Sequence, residues 1–200
     1  VADRPWEGFS AGNGNHPDLL TVDFTLDSPL VHATPRLADL AFEAFTPGRS
    51  LAEATTHLSS LVHGSFRFKP GSTDVTTTID EVLDLGEGVC QDFAHLAVGC
   101  LRTLGLAARY VSGYIETVPP PGQERLVGAD ASHAWFSVYV PQRGWMDFDP
   151  TNAQIPLEQH ITTAWGRDYA DVAPLKGIVY GGGKHSLRVA VNVERLQAGL

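Results

Sequence analysis

The chain has 200 residues, enough for one domain with a substantial buried core, and its 43% hydrophobic and 18% charged residues are typical of globular proteins. A net charge of -9 argues against a nucleic-acid partner and against docking on anionic membranes, both of which require a basic surface. No apolar run approaches the roughly 18 residues that a membrane helix needs. Because the chain begins with Val1, we expect it to be processed or to be part of a longer protein.

The two cysteines do not predict a disulfide. If Cys90 and Cys100 lie on one helix, the rise of about 1.5 Å per residue separates them by roughly 15 Å, which is too far for a bond. The sequence therefore favours a reducing compartment, and we expect the protein to be cytoplasmic. Cys100 lies in an apolar stretch and is predicted to be a buried core thiol.

In chain order, residues 1–34 are rich in Gly and Pro and predict an N-terminal extension that is mostly loop, with one strand over Leu19–Leu26. Apolar residues at three- and four-residue intervals then predict a helix from Pro35 to Ala44 and a second one after Ser50. A short helix or turn is expected from Thr78 to Leu85, ending at Gly86.

The second half of the chain predicts one long helix followed mainly by strands. The helix begins at Cys90 and stops at Gly105, after an apolar stripe that faces the core. The strands predicted after the helix are Ala108–Ile115, His133–Val140, Trp145–Asp149, Leu175–Tyr180 and Leu187–Val193. A Pro- and Gly-rich loop is predicted at Pro119–Asp130, between the first two of these strands. Helices first and strands later predict an α+β fold with an antiparallel sheet.

Cys90 has a position suited to nucleophilic chemistry. It stands in Gly86-Glu87-Gly88-Val89-Cys90-Gln91-Asp92-Phe93, where a glycine-rich turn becomes a helix. The free N–H groups and the dipole at a helix N-terminus favour negative charge, so a thiol placed there ionises more readily. His133 and Asp149, on neighbouring predicted strands, are suited to act as its base and as the residue that orients the base.

This grouping depends on strand register. If Tyr139 pairs with Trp145, then Trp135 lies opposite Asp149, and His133 and Asp149 become diagonal neighbours on one face. A loop shorter by one residue would put them on opposite faces. On spacing alone, the alternative remains open that Cys90 is a small residue at a helix start and His133 an ordinary strand histidine.

Two other aspartates compete for a role. Asp147 lies on the same face as Asp149, about 6.6 Å along the strand, so only one of the two can meet a given imidazole. Asp92 lies in the first turn of the helix, where a carboxylate usually pairs with free N–H groups, and we expect it to be structural. The eight histidines show no paired metal-ligand spacing, and no known phosphate-binding motif is present, so we expect neither a metal nor a cofactor.

Four separate blocks, in the same order, resemble the transglutaminase-like superfamily in its bacterial branch. They are Gly88-Val89-Cys90-Gln91-Asp92-Phe93-Ala94, Arg109-Tyr110-Val111-Ser112-Gly113-Tyr114, Ser132-His133-Ala134-Trp135 and Gly144-Trp145-Met146-Asp147-Phe148-Asp149-Pro150-Thr151-Asn152. The resemblance covers about residues 35–190. It implies a papain-like core in which the helix bearing the cysteine packs against the sheet.

The resemblance assigns roles to three residues: Cys90 as nucleophile, His133 as base and Asp149 as the residue that orients the histidine. It also implies that residues 35–200 form the catalytic domain and that residues 1–34 are the remnant of a β-rich N-terminal region. The implied reaction is acyl transfer from an amide bond through a thioester on Cys90.

The acceptor of the acyl group decides the activity. We expect water, which makes the protein a cysteine protease or amidase acting on a protein or peptide substrate. One alternative is a transglutaminase that accepts an amine. Another is a transglutaminase-like module that binds partners without catalysis, although the three residues of the resemblance are all present. The sequence gives no indication of the oligomeric state.

Overall fold

The computed structural model describes residues 2–11, 19, 21–116, 131–174, 177, 180, 181, 191 and 193. Its helices are α1 (Pro35–Ala44), α2 (Leu51–Ser65), α3 (Ile79–Leu85), α4 (Cys90–Thr103) and the one-turn α5 (Tyr169–Val172). Its strands are β1 (Arg67–Phe68), β2 (Glu87–Gly88), β3 (Ala108–Ile115), β4 (Ala131–Val140), β5 (Gly144–Phe148) and β6 (His160–Gly166). Helices packed with an antiparallel sheet confirm the predicted α+β class.

The helices begin where their capping residues dictate. The side chains of Thr34, Ser50 and Thr78 each accept a hydrogen bond from the first turn of α1, α2 and α3 respectively. Pro35 adds its fixed φ at the start of α1. Gly86 ends α3 with φ of 63°, a left-handed conformation that glycine adopts without strain. These ends match the predicted ones to within a residue.

Four strands form the main sheet, in the order β5-β4-β3-β6, with every neighbouring pair antiparallel. Tyr139 pairs with Trp145 and Phe136 with Phe148, so the β4–β5 hairpin has the register that the grouping of His133 with Asp149 requires. Strands β1 and β2 form a separate, parallel pair just before α4. This small pair fixes the chain that leads into Cys90.

Helix α4 is the centre of the core. Its middle residues are fully buried, and it packs against β3 and β4 on one side and against α1 on the other. Gly99 permits the close approach of α1, because a Cβ at this position would lie 2.6 Å from Leu37 Cδ1. The buried helix holds its own N-terminus, and therefore Cys90, in a fixed place beside the sheet.

The N-terminal segment packs on this core. Ala2 is buried and its carbonyl accepts a hydrogen bond of 3.1 Å from the Ala52 N–H, while Trp6 Nε1 donates to the Thr46 carbonyl. The predicted strand at Leu19–Leu26 is wrong, because Val22–Thr25 form a short 3-10 helix instead. The Thr25 hydroxyl bonds back to the Val22 carbonyl, a local contact that competes with strand pairing.

Two further elements differ from the sequence prediction. Strand β6 was not predicted, because it is an outer strand whose residues are mostly exposed and lack a clear apolar alternation. Helix α5 is only four residues long, too short to give a periodic pattern. The predicted loop at Pro119–Asp130 and almost all of the predicted tail strands lie outside the described residues. In the described part of the chain, no helix has the length and apolarity that a membrane crossing requires.

Candidate active site

Cys90 is the first residue of α4 and is half-buried. The turn before it is tight: a Cβ at Gly88 would lie 2.8 Å from Asp92 Oδ2, so any larger residue there would displace the Asp92 side chain. Asp92 is buried and accepts hydrogen bonds from the Val89 N–H (2.8 Å) and the Thr73 hydroxyl (2.6 Å). The carboxylate thus fixes the turn that presents the thiol.

Asp92 has the structural position that the sequence predicted. Burial raises the pKa of its carboxyl group, and the hydrogen bonds from Thr73 and Val89 oppose that shift only in part. The residue therefore anchors the start of α4 through its hydrogen bonds with Val89 and Thr73.

His133, on β4, lies between Cys90 and Asp149. Its Nε2 is 2.8 Å from Asp149 Oδ2, and the Cys90 thiol is close enough to its ring to influence its pKa. Because Nε2 faces the carboxylate, Nδ1 is the nitrogen left to interact with the thiol. Burial alone would lower the pKa of His133, but the interactions with Asp149 and Cys90 outweigh it and raise the pKa to about 9.

Asp149 is fully buried immediately after β5 and is surrounded by N–H groups. Its Oδ2 accepts from His133, from Asn152 Nδ2 at 2.7 Å and from His160 Nε2 at 3.0 Å. Its Oδ1 accepts from the backbone N–H groups of Thr151 and Asn152. Burial alone would raise the pKa of Asp149, but the side-chain hydrogen bonds from His133, His160 and Asn152 and the positive charge of His133 hold it well below its usual range. The carboxylate therefore stays negative at neutral pH.

Asp147 has a different set of contacts. It accepts a hydrogen bond from the Ser137 hydroxyl, directly across the β4–β5 pair. Arg109 lies nearby, with its guanidinium 4.4 Å from the Trp145 ring centroid and 4.8 Å from that of Trp165. Asp147 thus belongs to a polar group on the sheet surface and does not meet His133, which leaves Asp149 as the partner of the imidazole.

His160 is the residue of this site that the sequence did not reveal. It is the first residue of β6, and its Nε2 lies 3.0 Å from Asp149 Oδ2. No motif or spacing marked it, because its position depends on a strand that could not be predicted. The ligand atoms of His133, Asp149 and His160 lie within 4.8 Å of one another, a set that suits a metal ion by residue type. In the structure these three side chains are joined by hydrogen bonds to each other.

Comparison with known proteins places this geometry in a family. A model described as the transglutaminase-like superfamily matches residues 38–150. Uncharacterised proteins of Mycobacterium bovis and Mycobacterium tuberculosis are 45% identical over 195 residues, or 95% of this chain and 62% of theirs. The chain thus spans about three fifths of the length of these relatives. A protein-glutamine gamma-glutamyltransferase of Pseudomonas aeruginosa is 31% identical over 160 residues, or 76% of this chain and 24% of that protein.

Solved structures show the same fold. A candidate cysteine protease from Cytophaga hutchinsonii superposes with a TM-score of 0.66 at 28% identity, over 79% of this chain and 50% of that one. The periplasmic domain of TgpA from Pseudomonas aeruginosa, in complex with ethylmercury, gives a TM-score of 0.50 at 27% identity, over 68% of this chain and 50% of that one. These likenesses confirm the papain-like, transglutaminase-like core expected from the sequence.

The two thiols should differ strongly in reactivity. Cys100 is fully buried, and burial raises the pKa of its thiol, whereas Cys90 is half-buried at a helix N-terminus beside an imidazole. With a low dose of iodoacetamide at pH 7, we expect Cys90 to be labelled first, as measured by peptide mass spectrometry. Cys100→Ala should keep the labelling and Cys90→Ala should remove it. Faster labelling of Cys100 would contradict this assignment.

The charge on His133 should also appear in the stability of the fold. Its pKa rises from 6.5 to about 9 on folding, so the stabilisation is complete below pH 6.5 and is lost as pH rises through 9. Between pH 7 and pH 10, the free energy of unfolding in urea should fall by on the order of 2 kcal/mol more than in His133→Gln. An equal fall in the two proteins would mean that His133 gains no protonated state on folding.

Proposed function

The chain belongs to the transglutaminase-like superfamily, and we propose that Cys90, His133 and Asp149 make it an enzyme that transfers an acyl group from an amide bond through a thioester. The observation that carries the proposal is the position of His133 between the Cys90 thiol, which helps to raise the pKa of its ring, and the buried, negatively charged Asp149, whose Oδ2 lies 2.8 Å from His133 Nε2. An ordinary core histidine would not require a thiol on one side and a buried carboxylate on the other.

Each residue has one defined task in the proposed reaction. The Cys90 thiolate attacks the amide carbonyl, forming the S–C bond, and the leaving amine takes a proton from Nδ1 of the His133 imidazolium. In the second step, neutral His133 removes a proton from water, whose oxygen attacks the thioester carbonyl. The S–C bond then breaks, the acid is released, and the Cys90 thiolate and the His133 imidazolium are restored. Asp149 holds the ring in the required orientation and stabilises its positive charge.

We propose water as the main acceptor, with a protein or peptide as the substrate. The Cytophaga hutchinsonii structure of the same fold, described as a candidate cysteine protease, supports hydrolysis. Transfer to an amine is the second candidate, and the 31% identity to a protein-glutamine gamma-glutamyltransferase supports it. A module that only binds partners is disfavoured, because binding alone gives no reason to bury a charged Asp149 beside the His133–Cys90 pair.

The three residues should differ in how much their loss costs. Cys90→Ala should abolish thioester formation, and His133→Ala should be nearly as severe because it removes both acid and base. Asp149→Asn should be milder, with a loss no larger than the roughly 10⁴-fold seen for the analogous change in serine enzymes, since a thiol needs less help to ionise. The measurement is kcat/KM on a peptide substrate.

Asp147→Asn is the matched control for Asp149→Asn. It changes the same group two residues away on the same face, but an asparagine oxygen can still accept from the Ser137 hydroxyl. We expect kcat/KM to stay within a few-fold of the wild-type value. A larger loss in Asp147→Asn than in Asp149→Asn would mean that the residue orienting His133 has been assigned wrongly.

The activity should not need calcium. Calcium prefers six to eight oxygen ligands, whereas the one cluster of possible ligands among the described residues contains two histidines and a single carboxylate. Release of ammonia or peptide should be the same in millimolar calcium and in EDTA. With cadaverine added, the acyl group should still be transferred mainly to water. Calcium dependence, or amine incorporation faster than hydrolysis, would favour a cross-linking transglutaminase.

A further inference from the structure

His160 reaches the candidate site from the far edge of the sheet. In the order β5-β4-β3-β6, Asp149 follows one outer strand and His160 begins the other. Nevertheless His160 Nε2 lies 3.0 Å from Asp149 Oδ2, the same oxygen that His133 Nε2 contacts at 2.8 Å. Two imidazoles from different strands therefore meet at one carboxylate oxygen.

A β-bulge in β6 creates this arrangement. The pairing of β3 with β6 runs through Ser112 opposite Ala164, but the next residue, Gly113, pairs with Thr162. Thr163 is thus an extra residue without a partner in the ladder. A bulge of this kind shifts the alternation of side chains between the two faces of the sheet by one residue.

The shift decides which side chain meets Asp149. Because of the bulge, His160 pairs with Ile115. Ile115 lies on the same face of the sheet as Gly113, two residues earlier in β3. Gly113 pairs with His133, so His160 and His133 lie on the same face. In an uninterrupted register Ile161 would pair with Ile115, and His160 would face the opposite side. The bulge therefore places a histidine, in place of an isoleucine, on the face that carries Asp149.

The surroundings of His160 fit a fixed hydrogen-bond donor. Its side chain is only 3% exposed, and the Trp135 ring packs perpendicular to it with the centroids 5.2 Å apart. Its Nδ1 is buried and has no hydrogen-bond partner among the described residues. Since Nε2 faces a carboxylate, Nε2 must carry the proton, and the neutral Nε2–H tautomer satisfies every contact that the ring makes.

We propose that His160 is a positioning residue, whose Nε2–H holds the Asp149 carboxylate where it orients His133. This inference rests on the proposed thiol chemistry of Cys90. Without the His160 Nε2–H donor, Asp149 Oδ2 would be drawn toward Asn152 Nδ2, its remaining side-chain donor apart from His133. His133 would then lose the fixed acceptor that keeps Nδ1 directed at the thiol, and a displacement of about 1 Å in such a group can cost roughly 100-fold in rate.

The test compares the alkylation of Cys90 by iodoacetamide at pH 6 and at pH 9.5. At pH 6 the thiolate depends on its pairing with the His133 imidazolium, whereas above the reference thiol pKa of about 8.5 a thiol ionises without help. His160→Phe, which keeps the ring and removes the donor, should lower the rate at pH 6 by roughly 10-fold and leave the rate at pH 9.5 unchanged. His160→Gln, which retains an N–H near the position of Nε2, should restore most of the wild-type ratio of the rate at pH 6 to the rate at pH 9.5.

A matched control is His32→Phe. His32 faces Asp27 at 3.7 Å, but both side chains are more than half exposed and lie outside the site, so the rate ratio should not change. A ratio in His160→Phe within two-fold of the wild type would overturn the proposal. A loss as large in His160→Gln as in His160→Phe would do the same, because it would indicate packing rather than hydrogen bonding.

A second measurement requires no disruptive variant. In wild-type protein labelled with ¹⁵N-histidine, the NMR spectrum should show His160 as the Nε2–H tautomer, assigned by the signal that disappears in His160→Gln. An Nδ1–H tautomer would overturn the proposal. Neither measurement uses a substrate. If no peptide is cleaved, hydrolysis fails as a function while the role of His160 is still decided.

Discussion

The buried negative charge of Asp149 is the constraint on which the candidate site depends. Removing a carboxylate from water costs several kcal/mol unless the protein supplies donors in its place. Here five N–H groups do so: two from the backbone that follows β5, one from Asn152 and two from imidazoles. Only the contact with His133 belongs to the proposed reaction. The other four keep the carboxylate charged and stationary, so that His133 is oriented by a fixed group.

The same logic applies at the start of α4, where a second buried carboxylate serves a different purpose. Among the described residues, Asp92 accepts hydrogen bonds from Val89 and Thr73, and burial prevails, so its pKa rises. Asp149 has hydrogen bonds from His133, His160 and Asn152 and lies beside the positive charge of His133, and its pKa is lowered. Burial thus acts in the same direction on both carboxyl groups, and the partners of each decide the direction of the net pKa shift. The charged Asp149 supports the imidazolium.

Local signals in the sequence were sufficient for the parts of the fold that local chemistry determines. Pro35, Ser50 and Thr78 marked helix starts, and Gly86 marked a helix end, because these signals involve only neighbouring residues. The register of the β4–β5 hairpin depends on the length of its turn, so the sequence left two registers open, and the structure has the one that the grouping of His133 with Asp149 requires. The strand predicted over Leu19–Leu26 is wrong, because Leu19 and Leu26 are exposed and Phe24 contacts Trp145 and Trp165 edge-on instead of joining a sheet.

His160 could not be predicted, for a reason that is not local. The face of the sheet on which the His160 side chain lies depends on one extra residue in β6. That bulge depends on Gly113, because a Cβ at this position would lie 2.2 Å from the Ile161 carbonyl oxygen and 2.6 Å from the Trp135 ring. A glycine in β3, a tryptophan in β4 and a bulge in β6 must coincide before a histidine turns toward Asp149. Each of the resemblance motifs is one short, continuous segment of the chain. They identify the residues proposed to react, while the residue proposed to hold them arises only from how three strands pack.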